Sequence, residues 1–425
     1  MAKFKFPYYK SHFEYEIKDE LVAGVLVSKT EDYVKEASEE ELVRMALNNP
    51  IGQIPLSELA VGKKHIVIIS SDHTRPVPSH ITMPIILEEI RKNNKDVDIT
   101  ILIATGMHRP TTHEELVEKY GEKIVKEERI VIHNAYVDSD MTFKGILPSG
   151  GELWVNKLVD ECDLLMSEGF IEPHFFAGFS GGRKSVLPGI ASQKTVLWNH
   201  NAKFIASGHA KTGNLETNPV HKDMLFAAKA VKLAFILNVV LNGEKEIIKA
   251  FAGDVEEAHA HGCKLVNDIA LVKPIYSDIV ITTNGGYPLD QNIYQTVKGM
   301  TAAEATVNEN GVIIICSSCA DGTGGEFFYK LLADCESAKI AYQNLNDVEP
   351  QDTKFDQWEA QILARILVKA NVIIVSEHCD PEIIKAMHIK HAYNLDEALA
   401  MAREIVGCDK KITVIPDGIS VIVKE

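Results

Sequence analysis

The sequence predicts an α/β protein of two domains, each built on a mostly parallel sheet flanked by helices. The chain has 425 residues, more than one hydrophobic core usually supports, so two domains are expected. Short runs rich in Val and Ile alternate with longer amphipathic stretches, as in α/β proteins. Polar segments follow several of these runs, where parallel sheets bind ligands. We therefore expect the active site in the cleft between the domains.

The first half of the chain carries the pattern of one sheet with its crossover helices. Its strands are predicted at 65–70, 99–104, 163–167 and 233–240. A helix is predicted around 83–92, between the first two strands. Thr112 and Glu115 have the spacing of a capping box and open a helix that ends near Gly121.

The second half repeats this alternation. Its strands are predicted at 278–283, 311–316 and 371–376. A helical segment at 356–369 separates the last two of them. We place the domain boundary after residue 272, which gives a catalytic and cofactor-binding domain at 1–272 and a smaller domain at 273–425. The final strand, within 412–425, is compatible with either domain.

Composition narrows the class of protein. The formal net charge is −16, and the basic residues form no stripe, which argues against nucleic acid or an acidic membrane surface as a partner. No run of eighteen apolar residues predicts a membrane span, and the first residues lack the apolar core of a secretory signal. Seven cysteines, an odd number, indicate reduced thiols. We expect a cytoplasmic enzyme.

Four polar loops follow predicted strands and carry most of the chemistry. They lie at 71–76, 105–110, 168–174 and 284–288. Ligands of open α/β sheets bind at the carboxyl ends of the strands, so these loops are expected to contribute to one site. Arg75, in the first loop, is able to bind a carboxylate or a phosphate through its planar guanidinium group. A solvent-exposed arginine without such a role is an equally good interpretation.

The segment GFSGGRKS at 178–185 is the most informative motif. Clustered glycines allow backbone N–H groups to converge on an anion. The segment departs from the nucleotide-binding P-loop because Arg183 replaces its last glycine. Phosphate binding and a purely structural turn both remain open, and Lys184 is either a phosphate-binding cation or a nucleophile.

Three histidines are the strongest candidates for catalysis or metal binding. His108 and His174 close loops that follow strands, and His200 follows the glycine-rich segment. His73 has a weaker context and is adequately explained as a structural residue. Nothing in the spacing matches a known zinc motif, so spacing alone names no metal.

A helix after the fourth loop offers a second group. Gln295 and Lys298 are three residues apart, so on a helix they share one face and are able to bind a carboxylate together. An ordinary solvated helix face is the alternative. Trp358 and Tyr294 are candidates to line a pocket, although an aromatic residue is more often part of a core.

These segments together resemble the nickel-dependent lactate racemases over essentially the whole chain. The motifs that carry the resemblance are SDHTRP at 71–76, ATGMHRP at 104–110, EPHFFAGFSGGRKS at 172–185, NH at 199–200 and TNGGYPLDQNIYQ at 283–295, followed by Lys298. They are long enough to be specific.

The resemblance implies a cofactor, the Ni(II)-pyridinium-3,5-bisthiocarboxylate mononucleotide, covalently attached at Lys184. It implies that His200 ligates the nickel and that His108 and His174 are paired proton donors and acceptors. The remaining matches share a role in binding. Cofactor contacts are implied for Asp72, His73, Thr74, Arg75, Gly181 and Gly182, and substrate contacts for Arg75, Gln295 and Lys298.

The implied reaction interconverts D- and L-lactate through pyruvate by reversible hydride transfer to the cofactor. Such a mechanism avoids a carbanion beside a carboxylate and needs a cofactor, because side chains do not accept hydride. Two alternatives remain: a racemase or epimerase of another 2-hydroxy acid, and a nickel-cofactor carrier without turnover. The implied partners are lactate and cofactor-biosynthesis proteins, and a homodimer is left open.

Overall fold

A computed structural model describes all residues, 1–425, and divides them into two compact units. The N-terminal unit comprises Thr30–Asn199 and His209–Ile269. The C-terminal unit comprises Met1–Lys29, His200–Gly208 and Ala270–Glu425. Both units are α/β with mostly parallel sheets flanked by helices, which confirms the predicted fold class.

Twenty strands, β1 to β20, occur in chain order. They span Ala2–Tyr8, Ser11–Ile17, Val22–Val25, His65–Ser71, Asp98–Ala104, Arg129–Ile132, Met141–Ile146, Glu152–Asn156, Leu164–Phe170, Pro173–His174, Gly178–Phe179, Leu233–Leu241, Ile247–Gly253, Leu271–Val272, Ser277–Thr283, Val307–Cys316, Asn371–Val375, Lys390–Ala392, Ile412–Ile415 and Ile422–Val423.

Sixteen helices, α1 to α16, connect them. They span Glu39–Asn48, Leu56–Leu59, Ser79–Asn93, His113–Tyr120, Glu122–Glu127, Leu158–Glu161, Gln193–Asn199, Ala202–Ile205, Pro219–Ala230, Glu257–Ala270, Ile293–Glu304, Glu326–Ala333, Ala338–Asn346, Gln357–Lys369, Pro381–Ala386 and Leu395–Val406. None of them combines the length and apolar composition needed to cross a membrane.

The N-terminal unit is built on a six-stranded sheet in the order β13-β12-β9-β4-β5-β6. Its strands are parallel except β13, which pairs antiparallel with β12. The four strands predicted for this half are all present. Their Val- and Ile-rich runs are buried on both faces because helices cover a parallel sheet on both sides.

The helices of this unit follow local signals in the sequence. α4 begins with the predicted capping box, in which the Thr112 side chain and the Glu115 side chain each accept from the other residue's backbone N–H. The helix ends at Gly121, as predicted. α3 starts at Ser79, four residues earlier than the apolar periodicity indicated, and Pro84 lies inside it.

The C-terminal unit is built on a parallel six-stranded sheet in the order β18-β17-β16-β15-β19-β3. The predicted strands at 278–283, 311–316 and 371–376 are β15, β16 and β17. β19 pairs with β15 and with β3, so the last long strand stays in this sheet.

The first 29 residues belong to this unit, whereas the predicted boundary grouped them with 1–272. β3 extends the C-terminal sheet through its pairing with β19. Phe4, Phe6 and Ile17 of the β1–β2 hairpin are buried in the core formed by the strands of that sheet. The burial of these side chains explains the grouping, which periodicity along the chain does not reveal.

Candidate functional site

Three of the predicted loops follow neighbouring strands of the N-terminal unit. β9, β4 and β5 lie side by side and parallel, so the loops after them leave from the same edge of the sheet. The loop after β4 carries Asp72, and the loop after β5 carries His108. His108 Nδ1 lies 2.7 Å from Asp72 Oδ2. The fourth loop follows β15 in the C-terminal unit.

Asp72 is an ionised carboxylate in a polar turn. It is 1% exposed, and its Oδ1 accepts hydrogen bonds from the Thr74 backbone N–H (3.1 Å) and Oγ1 (2.6 Å). Arg75 Nη1 donates to Thr74 Oγ1 at 2.8 Å. Burial favours the neutral acid, but hydrogen bonding to His108 and the charges of His108 and Arg75 hold the pKa of Asp72 well below its usual value.

His73 points to a different set of partners. Its Nδ1 lies 3.1 Å from Thr111 Oγ1 and 3.6 Å from a Glu115 carboxylate oxygen. Burial lowers the pKa of His73, which favours the neutral imidazole. These contacts attach the loop after β4 to the start of α4. They give His73 a structural role, and its predicted contact with a cofactor stays a prediction.

His174 and Lys184 lie next to each other although ten residues separate them. His174 Nδ1 accepts from the Ala177 N–H at 3.3 Å, and Lys184 Nζ lies 3.3 Å from His174 Nε2. The Lys184 amine is thus within hydrogen-bonding distance of the imidazole, and which of the two nitrogens donates depends on the protonation of the ring.

The glycines of the GFSGGRKS segment are explained by close packing. Gly181 and Gly182 have φ of +79° and +51°, in the left-handed region. A Cβ on Gly181 would lie 2.7 Å from the Phe170 carbonyl oxygen, and one on Gly182 would lie 2.7 Å from the His259 ring. The Gly182 N–H donates to Asn238 Oδ1 at 2.7 Å. The predicted cofactor contacts of both glycines stay predictions.

The same segment folds around its own arginine. The fully buried Arg183 guanidinium donates to the carbonyl oxygens of Ala177 (2.8 Å), Phe179 (2.8 Å) and Gly181 (3.2 Å). Its Nε donates to His221 Nδ1 at 2.9 Å. Burial lowers the pKa of Arg183 to about 10, so it stays charged at neutral pH. The segment thus turns carbonyl groups toward a cation, whereas a phosphate-binding loop turns N–H groups toward an anion.

In the C-terminal unit, Gln295 and Lys298 lie on one face of α11, as their spacing predicted. Lys298 Nζ donates to Gln295 Oε1 at 2.5 Å. Asn292 caps the helix by accepting from the Gln295 backbone N–H, which fixes where the first turn begins. A cation and an amide side by side are suited to binding a carboxylate.

His200 belongs to the same unit and lies between α7 and α8. It is 4% exposed, and its ring meets the Trp358 indole edge-on, with ring centroids 5.1 Å apart. Trp358 Nε1 donates to the Tyr294 hydroxyl at 3.1 Å. An imidazole suits nickel as a ligand. No group of three or more His, Cys, Asp or Glu side chains in the structure is arranged to hold a metal ion.

Two acidic residues near this group were missed from the sequence. Burial raises the pKa of Asp356 to about 7, although a hydrogen bond with Tyr294 acts to lower it. Burial raises the pKa of Glu359 to about 8, against the positive charge of Lys298. Glu359 is 1% exposed, and its Oε1 has no hydrogen-bond partner. The one signal that could have identified Glu359 is its position in α14, a helix most of whose residues are buried.

Family models match both halves of the chain. The lactate racemase N-terminal domain matches residues 8–213, and the lactate racemase C-terminal domain matches residues 272–423. The chain is 54% identical over 425 residues to the lactate racemase of Thermoanaerobacterium thermosaccharolyticum and 56% identical over 424 residues to that of Lactiplantibacillus plantarum. Each match covers 100% of both chains.

Solved structures give the same result. The lactate racemase apoprotein from Thermoanaerobacterium thermosaccharolyticum matches with a TM-score of 0.97 and 53% identity, covering 100% of both chains. A protein from Thermotoga maritima matches with a TM-score of 0.67 and 19% identity, covering 92% of this chain and 100% of that one. At that identity the second match shows a shared fold alone.

Proposed function

The chain belongs to the lactate racemase family, and we propose that it interconverts D- and L-lactate by reversible hydride transfer through pyruvate. The proposed cofactor is the nickel-pincer nucleotide, attached at Lys184 and ligated by His200. His108 and His174 are the proposed acid–base pair, and Gln295 and Lys298 are the proposed substrate contacts.

The observation that carries this proposal is the hydrogen bond between His108 Nδ1 and Asp72 Oδ2, which orients one of the two proposed acid–base histidines. Ionised Asp72 only accepts hydrogen bonds, so His108 Nδ1 donates to it and Nε2 is the ring nitrogen that remains for proton exchange with a substrate. His174 is the second proposed member of the pair, and its Nε2 would exchange the proton with the substrate. As an acid it would act from the imidazolium form, because a neutral imidazole is too weak an acid to give up its N–H proton. A racemase needs both a base and an acid, since the roles reverse with the direction of reaction.

In the proposed reaction, His108 Nε2 removes the hydroxyl proton of one lactate enantiomer while the C2 hydrogen leaves with its electron pair. The product of this half-reaction is planar pyruvate. Protonated His174 then donates its Nε2 proton to the carbonyl oxygen when C2 is reduced from the opposite face, and His174 is left neutral. The bound cofactor supplies the hydride acceptor, a chemistry that no protein side chain offers.

The residues present fit this cofactor. Lys184 offers an amine 3.3 Å from His174 Nε2, and an amine in its uncharged form attacks an electrophilic carbon, as attachment requires. His200 supplies an imidazole ligand with a buried, aromatic neighbour. The turn that contains Asp72, Thr74 and Arg75 offers hydrogen-bonding and charged groups for a polar nucleotide.

The substrate carboxylate is proposed to bind Lys298 with help from Gln295, and Arg75 is a further proposed contact. The Lys298 ammonium is already directed by its hydrogen bond to Gln295 Oε1. Ordering the cation before the substrate arrives reduces the entropy lost on binding. The overall charge of −16 makes a local cation necessary for an anionic substrate.

The decisive experiment separates the two roles left open for Lys184. The wild type, Lys184→Arg and the exposed control Lys194→Arg are produced together with cofactor-biosynthesis proteins. Intact mass reports attachment, and optical rotation reports racemisation of lactate. We expect a mass adduct and racemisation for the wild type and the control, and neither for Lys184→Arg. Efficient racemisation by Lys184→Arg would show that the lysine is not the attachment site.

The same samples test the substrate. Other 2-hydroxy acids are compared with lactate at equal concentration, and we expect lactate to racemise fastest. Faster turnover of another 2-hydroxy acid would replace lactate as the substrate. A mass adduct without turnover of any of these acids would indicate a cofactor carrier instead.

A further inference from the structure

The loop that carries Asp72 is joined at both ends to a buried acid that the reaction does not use. Glu168 lies in β9, next to β4, and is 2% exposed. Its Oε1 accepts from Ser70 Oγ (2.5 Å) and Ser79 Oγ (2.7 Å), and its Oε2 accepts from Thr82 Oγ1 (2.5 Å). Ser70 precedes the loop, and Ser79 and Thr82 lie in the first turn of α3, which follows it. One carboxyl group therefore connects the two ends.

A lysine connects the same two ends from the other side. Lys119, on α4, donates from Nζ to Ser71 Oγ at 3.3 Å and to the Val77 carbonyl oxygen at 3.5 Å. The neighbouring Tyr120 hydroxyl lies 2.5 Å from Ser70 Oγ. Ser71 precedes the loop and Val77 is near its end, so Lys119 repeats the connection made by Glu168.

We propose that Glu168 and Lys119 are positioning residues that hold the ends of the 72–78 loop together and thereby keep Asp72 against His108. Neither residue is a catalytic residue in this proposal, because both act through the loop. The catalytic consequence rests on the proposed function, whereas the geometric claim does not.

The position of α4 between the two loops supports this inference. α4 begins at the capping box of Thr112, which directly follows the loop that carries His108. The helix therefore connects the His108 loop at its first turn with the Asp72 loop at its last turn. A shift of α4 would change the distance between the two side chains.

The charges around Lys119 support it as well. Burial lowers the pKa of Lys119, and the nearby charge of Arg75 acts in the same direction. The charges of Glu168 and Asp72 oppose this decrease. Lys119 thus lies close enough to Glu168 and Asp72 to interact with the charges of both.

The test uses cofactor-free protein and the proton that His108 Nδ1 donates to Asp72. A proton in a short histidine–carboxylate hydrogen bond gives a downfield ¹H NMR signal, which is assigned here by its loss in His108→Gln. We expect the signal to shift or broaden in Glu168→Gln and in Lys119→Met. We expect Lys119→Arg, which keeps the donor, to retain it, and the exposed control Lys123→Met to leave it unchanged.

Loaded enzyme gives the second readout. Displacement of a catalytic group by about 1 Å costs up to about 100-fold in rate, so we expect Glu168→Gln and Lys119→Met to lower kcat about 10- to 100-fold. KM should stay close to the wild-type value, because both residues are proposed to act through the loop and not on the substrate. If Glu168→Gln fails to fold, Thr82→Val removes a single donor and should shift the same NMR signal by less.

The proposal would be overturned if the NMR signal were unchanged both in folded Lys119→Met and in folded Glu168→Gln. If Glu168→Gln does not fold, Thr82→Val takes its place in this comparison. This outcome is distinct from failure of the proposed function. A wild-type protein with an intact signal and no racemisation would refute the function and leave the positioning claim standing.

Discussion

Three buried acidic residues, one in the N-terminal unit and two in the C-terminal unit, differ in how burial affects their pKa. In the N-terminal unit, Asp72 is 1% exposed and yet keeps a pKa well below its usual value, because His108 and Arg75 outweigh its burial. In the C-terminal unit, burial raises the pKa of Asp356 to about 7 and of Glu359 to about 8. Burial alone therefore does not decide whether an acid is charged. Hydrogen bonds and cations directed at the carboxyl group decide it.

The difference suits two kinds of chemistry. A permanent carboxylate fixes the tautomer of a histidine, which is a requirement for proton transfer. An ionised carboxylate beside Lys298 would compete with a substrate carboxylate for the lysine charge, and a neutral Glu359 would compete less. We therefore expect variants of the first group to affect kcat and variants of the second to affect substrate binding.

The largest expected effect is in the N-terminal group. His108→Ala and His174→Ala should each lower the rate of racemisation roughly 10²- to 10⁴-fold, because each removes a positioned acid–base group. Polarimetry on loaded protein measures the rate, and intact mass shows that the cofactor is still attached.

His113→Ala is the matched control, since His113 is an exposed histidine in the same unit. It should keep the wild-type rate. If either catalytic variant kept more than about half of the rate, against the usual loss, that histidine would not belong to the acid–base pair.

A smaller effect is expected in the C-terminal group. Lys298→Ala should weaken lactate binding by about 1.5–3 kcal/mol, which is the cost of losing a charge-assisted hydrogen bond. This corresponds to about 10- to 150-fold in the dissociation constant. Titration of lactate into loaded protein measures the affinity, and Lys330→Ala, an exposed lysine of the same unit, is the control. Unchanged lactate affinity with altered cofactor absorbance would place Lys298 at the cofactor.

A third expected effect concerns stability and not activity. Between the usual pKa of 4.5 and the folded-state pKa of about 8, the folded protein keeps the Glu359 proton and the unfolded chain loses it. This contribution to stability is present in full below pH 4.5 and is lost as the pH rises to about 8. The free energy of unfolding of the wild type, relative to that of Glu359→Gln, should fall by about 1 kcal/mol per pH unit in this range, and by at most about 1.4.

Urea unfolding of both proteins at several pH values measures this difference. Glu326→Gln is the control, because the Glu326 side chain is 77% exposed and should not change the pH dependence in this range. A constant difference between wild type and Glu359→Gln across these pH values would mean that Glu359 is ionised in the folded protein.

The sequence by itself determined the α/β class, most of the strands and the limits of α4. These features depend on neighbouring residues: the apolar runs of parallel strands, the capping box of Thr112 and the terminating Gly121. It also placed Asp72 and His108 at the ends of strands, and Gln295 and Lys298 on one helix face. Such spacing is local and follows from the geometry of strands and helices.

The tertiary structure decided the charge states and the partners. The contact between Asp72 and His108 spans 36 residues, and Glu359 lies far along the chain from Lys298, whose charge acts on it. The sequence left phosphate binding and a structural turn both open for the segment 178–185, and packing surrounded Arg183 with carbonyl groups. Packing likewise placed the first 29 residues in the C-terminal unit. A pKa and a hydrogen bond depend on which groups are close in space and on how deeply they are buried. The order of residues along the chain does not specify these properties until the sheets have formed.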